Sequence, residues 1–172
     1  MNTVLIANII SFAGAILMVL IGFIKDKNKV LEAQNAQFGL LAVSNLMLGG
    51  VSGGISNVLS IIRNLICLKT GVLSRPVKAL FIVVQAALTL AVNHSGLIGW
   101  LPVIAATALT MALDTKNPVT LKAVIILGQI CWIFYDFAFL NYVAFAFDVM
   151  TVISNIAGII SIMHTKTALD VK

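Results

Sequence analysis

The sequence predicts an all-α polytopic membrane protein of seven transmembrane helices, arranged as two parallel three-helix repeats joined by a linker helix. Three observations lead there. The chain has 172 residues, 60% hydrophobic and only 10% charged, with a mean hydropathy of +1.09; a soluble domain carries about 25% charged residues. Its apolar residues fall in long continuous runs without strand alternation, which in a bilayer means helices rather than a barrel. Ten of its eleven basic residues cluster in alternate gaps between those runs. Basic residues in short loops are retained on the cytoplasmic side. The four clusters share one face only with seven spans, N-terminus outside and C-terminus inside. The bilayer is thus the first partner of this chain.

The elements follow in order. Span 1, Thr3–Ile24, lacks the basic n-region and the cleavage site of a signal peptide and reads as a retained span; Lys25, Lys27 and Lys29 close it. Span 2, Ala33–Leu48, ends in a glycine-rich outer turn, Gly49–Gly54. Span 3 continues to Leu68, before Lys69, Arg75 and Lys78. Span 4, Val77–Asn93, leads to an outer turn at His94–Gly96. Span 5, Leu97–Leu113, is closed by Asp114–Pro118, with Lys116 and Lys122 beside it. Span 6 is Leu121–Leu140, and span 7 is Val143–Met163, before Lys166 and Lys172. Each is near the roughly 20 residues that cross a bilayer. The whole chain reads as one membrane domain, with repeat 1 at 1–70, the linker at 77–93 and repeat 2 at 97–167.

An internal repeat underlies that division. Ile55-Ser56-Asn57-Val58 in span 3 recurs as Ile153-Ser154-Asn155-Ile156 in span 7. Each Asn falls near mid-membrane, counted back from its cytoplasmic lysine at about 1.5 Å per residue. Spans 2 and 6 match more loosely and set Asn45 against Asp136. A linker of one span keeps both triplets in the same orientation, the parallel plan of carriers that bind their solute at the repeat interface.

Polar residues at helical spacing mark the candidate site. Span 3 carries Gly53, Ser56, Asn57, Ser60, Arg63, Asn64 and Cys67; span 7 carries Asp148, Thr151, Asn155 and Gly158. Such faces turn into the bundle or toward an aqueous cavity. Ser and Gly commonly serve close helix packing, and the two asparagines fit either solute contact or a mutual hydrogen bond. Asp136 and Asp148 lie in the outer halves of their spans, where an acid serves proton coupling, cation recognition or an ion pair. Arg63, the remaining basic residue, is expected to snorkel toward the cytoplasmic face. Trp132, with Tyr135 beside it, fits a stacking wall or the bundle core. Pro102 is expected to kink span 5 as a hinge. Gln85 and Asn93 are expected to bond between helices, and Trp100 and Tyr142 to anchor at the outer interface.

Several classes are excluded. No phosphate loop, metal-ligand spacing or nucleophile–base arrangement occurs. Cys67 and Cys131 sit inside spans and form no disulfide framework. No enzyme, metal or cofactor is expected. No basic cluster reaches the density of a phosphate-binding patch, so no nucleic acid is expected.

The stretches Leu48-Gly49-Gly50, Ser56-Asn57-Val58-Leu59-Ser60-Ile61-Ile62-Arg63 and Cys131-Trp132-Ile133-Phe134-Tyr135-Asp136-Phe137 resemble the bacterial inner-membrane proteins of the YgjV family. The resemblance implies a multi-pass location in the bacterial inner membrane. More distantly, the layout is similar to the SWEET, PQ-loop and PnuC-type carriers of sugars, amino acids or vitamin precursors. That likeness implies solute contact by Asn57 and Asn155 and stacking by Trp132. The Pro-Gln motif is absent, span 1 has no proline, and the repeat mate of Trp132 is Leu41. The expected function is a carrier or facilitator for a small polar solute, with Asn57, Asn155, Trp132, Asn45, Asp136, Asp148 and Tyr135 around a midplane pocket. The rival is a non-transporting membrane module for partner assembly or membrane sensing. The oligomeric state stays open, a homo-oligomer included.

Overall fold

The computed structural model describes residues 2–21, 27–112, 115 and 117–170. Among them the chain forms seven α-helices: α1 (Thr3–Ile21), α2 (Lys27–Met47), α3 (Val51–Thr70), α4 (Arg75–Val92), α5 (Leu101–Ala112), α6 (Pro118–Ala138) and α7 (Tyr142–Asp170). A 3-10 turn, Ile98–Trp100, leads into α5. Of the basic residues that orient the chain, Lys25, Lys116 and Lys172 lie outside the described residues, as do the last residues of spans 1 and 5 and Asp114.

Local chemistry sets several ends. The Asn117 side chain caps α6 by accepting from the Val119 and Thr120 amides at 3.0 and 3.4 Å, and Pro118 follows at the first helical position, where no amide is needed. Five helices are long and apolar enough to cross a bilayer: α1, α3, α4, α6 and the Tyr142–His164 part of α7. The other two depart from the expected spans. α2 starts six residues before Ala33, because Lys, Leu, Glu, Ala and Gln favour a helix whatever their polarity. α5 is a short apolar helix reached through the 3-10 turn. Pro102 is therefore the second residue of α5 and not a mid-helix kink. In a first turn its missing amide breaks no bond, so Pro102 marks the junction of the 3-10 turn with α5.

Short connections make successive helices antiparallel, and six of them close into a ring. α1 packs on α2 and α7, α2 on α3, α3 on α5, α5 on α6, and α6 on α7. α4 stands outside, against α3 and α5. Gln85 of α4 ties it there: its Nε2 donates to Ser56 Oγ at 2.8 Å and to the Pro102 carbonyl at 3.4 Å. Asn93 instead bonds within its own turn, to Gly96 and Ser95. Ser11 of α1 donates to Ser44 of α2 at 2.7 Å, and Ser44 to the Ala7 carbonyl at 2.9 Å. Small hydroxyls let these two helices lie close.

The two halves of the ring share one numbering interval. The end of α6 (138) falls 91 positions after the end of α2 (47). The start of α7 (142) falls 91 after the start of α3 (51). The two outer turns obey the same interval. After α2, Gly50 N donates to the Asn45 carbonyl at 2.7 Å and Gly49 N to the Leu46 carbonyl at 3.1 Å. After α6, Asn141 N donates to the Asp136 carbonyl at 2.9 Å and Leu140 N to the Phe137 carbonyl at 3.2 Å. Both are Schellman closures, which put the residue after the helix in the left-handed region.

That residue is Gly49 (φ 80°) in the first turn but Leu140 (φ 60°) in the second. A side chain there costs about 1–2 kcal/mol, partly offset by the extra unfolded-state freedom of glycine. Leu140→Gly is expected to stabilise the protein by about 0.5–1 kcal/mol, read as a higher unfolding midpoint in detergent. A lower midpoint would mean that Leu140 is held by packing that outweighs its backbone strain.

Candidate functional site

The ring encloses a cavity of about 130 Å³, and all six ring helices contribute to its wall. An engineered cavity of about 150 Å³ holds benzene, so this one fits a solute of about six non-hydrogen atoms. Apolar side chains such as Ala15, Met18, Ala106 and Leu109 line the α1 and α5 sides. The polar wall comes from α2, α3, α6 and α7.

At the outer end four polar side chains meet. Asn141 Nδ2 donates to Asn45 Oδ1 at 3.2 Å and to Asp136 Oδ1 at 3.4 Å. Asn45, Asp136 and Asn141 are all nearly or fully buried. The carboxyl groups of Asp136 and Asp148 lie within hydrogen-bonding reach of each other. Asp148 Oδ2 is buried and finds no donor in the protein. Ionised carboxylates only accept hydrogen bonds, so a bond between the two needs one proton between them. With one proton shared in this way, the pair would hold a single negative charge.

Across the cavity the wall of α3 supplies donors. Asn57, Ser60 and Arg63 recur every three residues on one side of the helix and all line the cavity. Asn57 is 3% exposed, and its Nδ2 donates to nothing in the protein. Arg63 is 4% exposed. Its Nη1 and Nη2 donate to Thr110 Oγ1 and Asn64 Oδ1, both at 3.4 Å, and its Nε has no partner. The expectation that Arg63 snorkels to the cytoplasmic face is corrected, because its head turns into the ring with the rest of the polar face of α3. A buried guanidinium bonded to neutral groups alone is costly, which makes it the natural seat for an anion.

Tyr135 and Trp132 behave differently. Tyr135 is fully buried and its hydroxyl accepts from the Gly53 amide at 2.7 Å and the Ser52 hydroxyl at 3.3 Å. It thereby caps the start of α3 and does not line the cavity. A Cβ on Gly53 would fall 2.5 Å from the Tyr135 ring, so only glycine admits this contact. Trp132 does line the cavity and stands edge-on to Tyr135, with ring centroids 5.6 Å apart. Its placement is locked by a neighbour, as a recognition wall requires.

Asn45, Asn57, Trp132, Asp136 and Asp148 all line the one cavity. Asn155 does not. It is half-buried, and its Nδ2 donates to the Thr151 carbonyl one turn back at 2.9 Å. The 91-residue interval explains why. It pairs Asn57 with Asp148, both on the cavity wall, and Asn155 with Asn64. The same interval pairs the wall residues Ala15 with Ala106, Met18 with Leu109, Phe38 with Gln129, Leu41 with Trp132, and Asn45 with Asp136. Sequence reasoning missed Asn141, because it closes a turn between apolar runs. Its position 91 after Gly50 was the available signal.

A family model described as bacterial inner membrane protein (Imp-YgjV) matches residues 5–166. Inner membrane protein YgjV of Escherichia coli (strain K12) is 30% identical over 115 residues, 67% of this chain. The match spans about 61% of that relative's length. No solved structure matches. A family match over nearly the whole chain, on a bundle of bilayer-length helices, makes this protein a member of the YgjV family of bacterial inner membrane proteins.

Proposed function

We propose that this protein is a carrier or facilitator for a small polar solute, with its N-terminus outside and its C-terminus in the cytoplasm. The observation that carries the reading is the cavity at the ring centre. It is lined by residues of both helix triplets, and three of those residues, Asn57, Arg63 and Asp148, carry buried polar atoms without a partner in the protein. A structural core satisfies its buried polar groups; a binding site leaves them for its ligand. The described basic residues Lys29, Lys69, Arg75, Lys78 and Lys122 stand at the end of the bundle opposite the outer turns, which supports the orientation.

We read α1–α3 and α5–α7 as parallel repeats about an axis along the membrane normal, with α4 as their linker. The shared interval of helix ends, turns and wall residues supports this. Movement of one triplet against the other would open the cavity to alternate sides. Asn57 hydrogen-bonds the solute, Trp132 packs against it, and the Asp136/Asp148 pair sets the charge at its outer end.

The test is uptake into vesicles containing the purified protein, across sugars, amino acids, nucleosides and vitamin precursors, beside Gly128→Leu. Gly128 lines the cavity, and a Cβ there meets nothing closer than 3.8 Å. The larger side chain therefore fills the cavity without breaking the ring. Uptake by the native protein, with loss of at least tenfold in folded Gly128→Leu, is the expected result. No uptake of any class would turn the reading toward a partner-assembling membrane module.

A further inference from the structure

We infer that the solute is a small zwitterion of the α-amino acid type, its ammonium group on the Asp136/Asp148 pair and its carboxylate on Arg63 and Asn57. This rests on the carrier reading and names its substrate class. The cavity separates its charges. Its acidic pair belongs to α6 and α7, near the outer helix ends: Asp136 lies two residues before the last of α6, and Asp148 six after the first of α7. Its cation, Arg63, lies on α3 across the ring and deeper. Among the described residues no carboxylate bonds to Arg63.

Depth and size agree with such a ligand. The 91-residue interval sets Asp148 level with Asn57. Arg63 is six residues further along α3, or about 9 Å. Its guanidinium is bonded to Thr110 and Asn64. An α-amino acid holds its charged groups about 3 Å apart and adds a hydrogen bond of about 2.8 Å at each end, which spans that gap. Alanine and serine have six and seven non-hydrogen atoms, the size the cavity admits.

The unfilled bonds have the right polarity. Asp148 Oδ2 is an acceptor without a donor, at the ammonium end. Asn57 Nδ2 and Arg63 Nε are donors without acceptors, on the α3 side that takes the carboxylate. With one proton on the acid pair, the site carries one negative and one positive charge and is neutral overall. A lone cation or anion would leave one buried charge uncompensated, at a cost that a zwitterion avoids.

The experiment measures binding to the full chain in detergent, by calorimetry and thermal shift. L-alanine and L-serine are compared with L-alanine methyl ester, which keeps only the ammonium charge, N-acetyl-L-alanine, which keeps only the carboxylate, and a neutral hexose. The expected result is binding of an amino acid at least tenfold tighter than either singly charged relative. Arg63→Gln should lower the affinity for the amino acid to that for the ester and leave the ester unchanged. The ligand series on the native chain stands even if that variant does not fold. Binding of the ester or the N-acetyl form as tightly as the amino acid overturns the inference. If the hexose is bound and carried while the amino acids are not, the zwitterion is wrong and the carrier reading survives. If nothing in any class binds or crosses, both fall.

Discussion

Replacing both acids, Asp136→Asn with Asp148→Asn, is expected to reduce solute uptake at least a hundredfold, whereas either change alone costs about tenfold or less. The expectation follows from the proton that two adjacent carboxyl groups must share. With one proton the pair carries one charge, so a single Asn imitates the neutral partner. An amide can donate to the remaining carboxylate as a protonated acid would. The double change removes the remaining charge. A hydrogen bond to a charged group contributes about 1.5–3 kcal/mol, and about 1.4 kcal/mol is tenfold in affinity, so the loss reaches two orders of magnitude. Uptake per folded protein, counted by size-exclusion chromatography, checks it. Two inactive single variants would show that both carboxyl groups act separately, and a competent double variant would remove the acids from the site. The first triplet already displays the neutral arrangement, with Asn45 and Asn57 in the places of Asp136 and Asp148. On the proposed repeat reading, the site is therefore polarised across its pseudo-axis.

Much of the helix framework was legible because lipid imposes a long apolar run on each crossing helix. The N-terminal part of α2 was not, since Lys27–Glu32 has no apolar signature and its helix rests on propensity. Pro102 shows a different limit. A proline within an apolar run reads as a kink, and only the 3-10 turn at Ile98–Trp100 reveals that α5 starts there. For Arg63, the distance to Lys69 pointed to snorkelling, but rotation outweighed depth: the Asn57–Ser60–Arg63 row faces the ring centre. The repeat was half legible. The match of Asn45 with Asp136 has the 91-residue interval that the helix ends and turns obey. The match of Asn57 with Asn155 has an interval of 98. The excess of seven residues is about two helical turns, so the two asparagines share a face but differ in depth by about 10 Å. Identity of letters in a short apolar motif reports the face, and the turn geometry reports the depth.

Asn57→Ala and Asn155→Ala should accordingly have opposite signatures. Asn57 Nδ2 is buried and donates to no atom of the protein. Its removal breaks no hydrogen bond there and relieves a desolvation cost of about 1–3 kcal/mol. The variant should unfold no earlier than the native protein, and uptake should still fall about tenfold or more, because the solute loses the donor that the fold keeps free for it. Asn155 Nδ2 is already satisfied by the Thr151 carbonyl of its own helix. Its loss should change uptake less than twofold and stability by only a few tenths of a kcal/mol, the range of a half-exposed helix position. Measuring the unfolding midpoint and the uptake rate of both variants separates a binding residue from a packing residue, since packing alone would lower both quantities together. Reduced stability with normal uptake in Asn57→Ala would make that asparagine structural. An inactive Asn155→Ala would move the site two turns toward the cytoplasm and restore the pairing of the two short motifs. The ligand would then be sought around the inner half of α7, away from the acid pair.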